Sequence, residues 1–340
     1  LHGHPWVFAS QVEKTEGEAV PGDIVRVFDR KGPLGQGYFN PASQIRVRLL
    51  TWHLEEPIDA DFFRRRIKAA WELRQRTMPD DSSLRVVFGE SDGLPALIVD
   101  KFNDPGSGAG ACVLVVQTLS LGIERWKDPI IATLRELFEP RGIYERNDVP
   151  VREKEGLPQV KGFIGEAFDT NFVIEENGLK FRNDVASGQP TGHPLDHRHN
   201  HAAMRPISDG AKVLDCFTHT GGFALHAAHY GAKEVLGLDI SEDAVARSTA
   251  NAELNGLADR CTFKPANVFD FLSEASRAEK KWDVIVLDPP AFAKSRSTLQ
   301  NAVRGYKEIN LRAMKCLPPG GFLVTCSCSF HMDQDLFRTT

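Results

Sequence analysis

Cysteine is scarce in this chain: there are 6 in 340 residues, at positions 112, 216, 261, 316, 326 and 328, and no CxxC pair occurs. That scatter suits a reducing compartment better than a disulfide framework, so a cytoplasmic protein is expected. Also missing is any apolar run of about 18 residues, the length that a membrane-crossing helix requires. The opening LHGHPWVFAS has neither a basic leader nor a long apolar core and does not read as a signal peptide. Charge of one sign is lacking too. With 41 Lys+Arg against 46 Asp+Glu the net charge is -5, which excludes nucleic-acid binding by bulk charge and leaves only local patches. The densest patch, Arg64, Arg65, Arg66 and Lys68, reads as the solvated face of a helix. The chain begins without Met and stops at DLFRTT as a helix starts, so a longer parent sequence is expected.

What is present divides by texture into three segments. Residues 1–55 carry short alternating runs broken by Gly and Pro (DIVRVFD, GYFN, QIRVRLL) and read as a small all-β unit. Residues 56–185 mix a helix, DADFFRRRIKAAWELRQRTM with Asp59 as its N-cap, with strands; SLRVVFGESDGLPALIVDKF reads as a hairpin. In residues 186–340 strands and helices alternate: AKVLDC, EVLGLD, CTFKP, WDVIVLD and GFLVTCS, with helices between. Such alternation predicts an α/β fold with a parallel, doubly wound sheet, in which ligands bind beyond the carboxyl ends of the strands.

Those strand ends carry the informative residues. VLDCFTHTGGFAL places Gly221 and Gly222 at the start of a helix, where the backbone can approach a ligand and offer free N–H groups, although the dinucleotide pattern GxGxxG is not met. Asp239, at the end of EVLGLD, lies near the spacing at which an acid meets a ribose diol. Loop and acid together predict an adenosine-type cofactor. Asp288 ends an apolar run and is followed by Pro289 and Pro290, a stiff ledge on which a flat base can lie. LVTCSCSF brings Cys326 and Cys328 to the same side of an extended strand.

DCFTHTGGFAL, GLDIS, LDPPAFAKS and TCSCS, in this order, resemble the motifs of class I S-adenosylmethionine-dependent methyltransferases. More narrowly, with HPWVFASQV, GYFNPASQIRVRLL, GESDGLPALIVDKF, TGHPLDHR and RGYKEIN, they resemble the large-subunit (23S) ribosomal RNA cytosine-5 methyltransferases that carry an N-terminal PUA domain. The resemblance implies a Rossmann-like catalytic domain over 186–340, a central α+β domain over 56–185 and an RNA-binding PUA domain over 1–55. It implies S-adenosylmethionine as cofactor, held by Asp196, Asp215, Phe217, Thr218, Thr220, Gly221, Gly222, Asp239, Ile240, Asn267, Val268 and Asp288. Substrate contacts are implied for Pro289, Pro290, Phe292, Lys294 and Arg198, and for Arg46 and Arg48 of the PUA unit. The expected partner is 23S rRNA, with no membrane, and a homodimer is in keeping with the architecture.

In the implied reaction a thiolate adds to C6 of cytosine and makes C5 nucleophilic, an instance of covalent catalysis. The resemblance assigns the thiolate to Cys328 of the SCS triplet and packing to Cys326, while Asp288 meets the N3/N4 edge of a flipped base. The four histidines of TGHPLDHRHNH (His193, His197, His199 and His201) suggest a metal site, but nothing nearby completes a ligand set, and none is expected. The family has Gln and Arg where His197 and His201 stand. Two competing readings remain: methyl transfer to a guanine or adenine nitrogen without a cysteine nucleophile, and a non-catalytic RNA-binding assembly factor.

Overall fold

The computed structural model describes residues 3–108, 111–188, 191–293 and 295–340. The chain divides into two compact units, residues 1–175 with 183–195, and residues 176–182 with 196–340. The expected all-β and central segments therefore fall in one unit.

In the first unit, β1 (Trp6–Phe8), β2 (Ile24–Asp29), β3 (Gly32–Phe39) and β4 (Ile45–Thr51) form an antiparallel sheet in the order β1-β4-β3-β2. Val7, Phe39, Val47 and Leu49 fill its small core. Helix α1 (Ala60–Thr77) starts where Asp59 accepts a hydrogen bond from the Phe62 amide at 2.9 Å, the N-cap the sequence predicts. A five-stranded sheet follows, ordered β5 (Leu84–Phe88), β6 (Leu97–Asn103), β7 (Cys112–Thr118), β8 (Gly142–Asn147), β9 (Val160–Phe163). The short α2 (Leu121–Glu124) and α3 (Lys127–Phe138) lie between β7 and β8 in the chain, so this one pair is parallel. β10 (Asn171–Glu176) and β11 (Leu179–Asp184) form a two-stranded sheet, of which residues 176–182 belong to the second unit.

The second unit opens with two short helices, α4 (Arg198–Ala202) and α5 (Arg205–Ser208). Strands β12 (Lys212–Cys216), β13 (Glu234–Asp239), β14 (Cys261–Pro265), β15 (Val284–Leu287) and β16 (Phe322–Thr325) then alternate with α6 (Gly222–His229), α7 (Glu242–Leu254), α8 (Val268–Arg277) and α9 (Leu299–Lys315); α10 (Gln334–Thr339) closes the chain. The sheet order is β14-β13-β12-β15-β16 and every pairing is parallel. The order reverses between β12 and β15, and a doubly wound sheet opens its ligand crevice at that switch point. One face of the sheet is sealed by Leu214, Leu238, Leu272, Ile285 and Ile309, all fully buried, each contributing about 1.5–3 kcal/mol by leaving water. Register aligns the strand ends: Cys216 pairs with Leu287, and Leu287 with Thr325. Phe217, Asp288 and Cys326 thus leave the sheet side by side.

Candidate active site

The loop after β12 is held in an unusual shape. Phe217 (φ 65°) and His219 (φ 51°) are both in the left-handed region, as is Gly221 (φ 85°), which precedes α6. Non-glycine residues adopt this conformation only when their surroundings over-determine it. Here the Thr218 amide donates to the Leu238 carbonyl at 2.9 Å, and the His219 amide to Asp239 Oδ2 at 3.0 Å. Helix α7 straps the outer side: Ser248 Oγ donates to the His219 carbonyl (2.9 Å) and Asn251 Nδ2 to that of Thr220 (3.0 Å). The backbone of 217–222 is therefore fixed before any ligand arrives.

Three carboxylates converge here. Asp215 is buried; its Oδ2 accepts from Thr218 Oγ1 (2.6 Å) and the Ala224 amide (3.1 Å), while its Oδ1 is buried with no hydrogen-bond partner among the described residues. Burial pushes its pKa up to about 7, against the Thr218 hydrogen bond and with help from the charges of Asp288 and Asp239. Asp239, half-buried at the end of β13, accepts one backbone N–H on each oxygen, from His219 and Ser241 (3.0 Å), which leaves each oxygen a second lone pair. Ile240, next along, is 75% exposed. Asp288 lies beyond β15, its pKa raised by burial against the opposing pull of His197, whose Nε2 is 3.6 Å from Asp288 Oδ2, and of His201.

The cysteines depart from expectation. Strand β16 stops at Thr325, so Cys326 and Cys328 lie in the following loop instead of sharing one face of a strand. They are not equivalent. Cys326 is half-buried and its thiol is pushed up to about 12, by burial first and then by Asp288 and Asp215. Cys328 is exposed; its thiol donates to the Pro289 carbonyl at 3.7 Å and is also pushed up, by burial and by Asp288. Sequence reasoning gave no role to Tyr306 of RGYKEIN. Its fully buried hydroxyl takes a hydrogen bond from Ser327 Oγ (2.9 Å) and lies 3.0 Å from Ser329 Oγ, so both neighbours of Cys328 are pinned by one phenol.

Other expected residues fare unevenly. Pro289 is buried, with its carbonyl facing the Cys328 thiol, and Pro290 is exposed. Phe292 packs on Tyr306 (4.7 Å between centroids) and Phe269 (6.0 Å), a supporting position. Asn267 Oδ1 accepts from the amides of Phe269 (2.9 Å) and Asp270 (3.4 Å) and so caps α8. The Val268 side chain belongs to the core. Asp196 is exposed and acts electrostatically on Asp288 and Cys328. Arg198 is buried, and its carbonyl accepts from Asn177 Nδ2 at 3.0 Å, so it is not displayed to an RNA. Lys294 lies outside the described residues.

In the first unit Arg46 is half-exposed and donates to the Pro41 carbonyl. Arg48 is corrected: it is buried, 2.7 Å from Glu155 Oε1 and over the Trp6 ring. Glu155 also accepts from Ser43 and Asn40. A guanidinium neutralised inside such a network is structural.

The second unit suits a ligand that is cationic at one end and a nucleoside at the other. The orphaned Asp215 Oδ1, in a group of three carboxylates, calls for positive charge. The spare lone pairs of Asp239 match a diol, and exposed Ile240 offers an apolar surface for a flat base. S-adenosylmethionine has these features in this order. The fold and site define an S-adenosylmethionine-dependent methyltransferase, and the model of that family matches residues 158–339, with a PUA-like domain matched over 1–52. The chain resembles a solved structure of SMU.776 complexed with SAH, with TM-score 0.81 and 19% identity over 99% of this chain and 85% of that one. That likeness speaks for the fold. Sequence relatives are nearer: the protein called ribosomal RNA large subunit methyltransferase I is 43% identical in Aeromonas salmonicida, over 99% of this chain and 85% of the relative. In Erwinia tasmaniensis it is 41% identical over the same shares. The chain belongs to this ribosomal RNA large subunit methyltransferase I family.

Proposed function

We propose that the protein methylates C5 of a cytidine in large-subunit (23S) ribosomal RNA, in the cytoplasm, through a covalent bond between Cys328 and C6 of the ring. The observation that carries this reading is an exposed thiol whose two neighbours are anchored by Tyr306 and which titrates in the field of Asp288. Asp215, Asp239 and the loop 217–222 hold S-adenosylmethionine, which when bound supplies an electrophilic methyl group. This chain's own residues manage the protons. Only a thiolate attacks. As sulfur bonds to C6, the thiol proton passes to Asp288, whose burial favours the protonated form, and the C5–C6 π pair shifts towards N3, which takes the proton from Asp288. No charge is left on the ring, and C5 becomes enamine-like. After methyl transfer the Asp288 carboxylate, having given its proton to N3, takes the proton from C5; the C6–S bond breaks as the thiolate leaves, and the N3 proton returns to the sulfur.

The base must leave its stack to enter such a site, and Pro290 offers it a flat, stiff rest. The PUA-like domain is the remaining RNA-binding surface, with Arg46 and not Arg48 as its contact on β4. One observation favours a second reading, transfer to a purine nitrogen. Among the described residues no cation lowers the Cys328 thiol, and its surroundings raise it. RNA bearing 5-fluorocytidine separates the two. A denaturation-stable adduct that disappears in Cys328→Ala supports C5 transfer, whereas methyl transfer that persists in Cys328→Ala without an adduct overturns it.

A further inference from the structure

Glu176, His201 and His226 come from β10, α4 and α6, all within the second unit. Each offers one ligand atom, these atoms lie within 4.8 Å of one another, and all three residues are buried. His226 Nδ1 donates to the Gly222 carbonyl at 2.7 Å, which leaves Nε2 as the nitrogen bearing a lone pair. That Nε2 is 3.7 Å from Glu176 Oε1, and His201 Nδ1 is 2.6 Å from the same oxygen. The two imidazole centroids are 4.8 Å apart; two imidazoles on one tetrahedral ion, with metal–nitrogen bonds of about 2.0–2.1 Å, stand about 5 Å apart.

We propose that Glu176, His201 and His226 bind a divalent ion of the zinc class. A carboxylate with 1% of its side chain exposed needs a positive partner. A single proton shared with His201 provides one, while His226 Nε2 stands 3.7 Å from the carboxylate oxygen and 3.2 Å from Asn177 Nδ2. A divalent ion takes a lone pair from all three groups together. The adjustment is small. Tetrahedral ligands at zinc distances lie about 3.3 Å apart, so the 2.6 Å pair opens as its proton leaves and the 3.7 Å pair closes. Two nitrogens and one carboxylate in a closed setting suit zinc better than the hard cations or an open iron site.

The ion would sit beneath the cofactor loop. The Gly222 carbonyl is the anchor of His226, and a Cβ at Gly222 would come within 2.6 Å of His201 Nε2. Occupancy therefore braces the residue that opens α6. The four clustered histidines of the sequence gave no ligand set because only His201 takes part; the other two ligands lie 25 residues before and 25 after it, as 201 − 176 and 226 − 201.

The test is metal analysis of the full chain purified from zinc-supplemented cells. Wild type is expected to hold about one zinc per chain, and Glu176→Gln and His226→Ala about a tenth of that or less. Because either variant can fail to fold, wild-type protein is also stripped with a chelator and titrated with cobalt. Four-coordinate visible absorption and a rise in melting temperature are expected, both reversed by chelator. Wild type without stoichiometric metal and without a melting shift overturns the proposal, as does metal retained in both folded variants, which places it elsewhere.

Discussion

The tips of β12 and β13 and the tips of β15 and β16 belong to one sheet and face one crevice, yet they are built on opposite plans. Around the first pair the backbone is strained and strapped: Phe217 and His219 are left-handed, the Thr218 and His219 amides are tied to Leu238 and Asp239, and α7 holds the loop from outside. Around the second pair the groups are chemically held back. The thiols of Cys326 and Cys328 and the carboxyl of Asp288 are all pushed up, each by burial first. A cofactor site gains from geometry fixed in advance. A nucleophile loses nothing by staying protonated until the ring that accepts its proton has arrived. The difference predicts that damage to the first half is read in cofactor affinity, and damage to the second in turnover.

Replacing the thiol is the sharpest way to test that division. Cys328→Ala should lower methyl transfer by at least about a thousandfold while S-adenosylmethionine affinity, measured by calorimetry, stays within about twofold. Cys326→Ala should leave most activity. Equal losses in the two variants would sink the assignment of roles.

On the cofactor side, Asp239→Asn keeps one acceptor oxygen and removes the charge. Charged hydrogen bonds contribute about 1.5–3 kcal/mol each, so affinity should fall about 10–100-fold. The maximal rate at saturating cofactor should change little. A loss in rate with unchanged affinity would show that the two halves are not separate.

Much of this division is legible in the sequence because it lies at strand ends, where an apolar run stops at a polar residue: VLDC, LGLD, VIVLD, LVTC. The strand–helix alternation is equally plain, since each element is long enough to show its period. What escapes is set by partners far away in the chain. Arg48 looks like the exposed side of a strand until Glu155, 107 residues on, is folded against it. The Tyr306 hydroxyl has no signature at the level of sequence, because its partners Ser327 and Ser329 meet it only through packing. Asn267 is a different case. An Asn before VFDF is a helix cap by its own chemistry, a local signal that the resemblance passes over.

Asp215 lets pH distinguish the halves. Its carboxyl, ordinarily near 3.8, is raised to about 7 in the folded protein. The folded state therefore binds more protons than the unfolded state between about pH 4 and 7, so stability falls as pH rises through that window and is flat above it. Affinity for a cationic cofactor runs the other way, because the ion pair needs the carboxylate. It should rise up to about tenfold per pH unit below 7 and level off above. Calorimetry and thermal melting from pH 5.5 to 8.5 should show opposite slopes, both flattened in Asp215→Asn. Parallel slopes, or slopes that survive the substitution, would remove Asp215 from the cofactor site.

The smallest effect is expected at Tyr306→Phe, and it probes how firmly the second half is held. The substitution keeps the ring that packs on Phe292 and Phe337 and removes only the oxygen between Ser327 and Ser329. One neutral hydrogen bond contributes about 0.5–1.5 kcal/mol, so the melting temperature should fall by only a few degrees. If the phenol positions the sulfur, the rate of adduct formation with 5-fluorocytidine RNA should drop by about three- to tenfold while cofactor affinity is unmoved. A fall in stability with no change in that rate would mean that the loop carrying Cys328 finds its place without Tyr306, and that only the first half of the crevice is organised in advance.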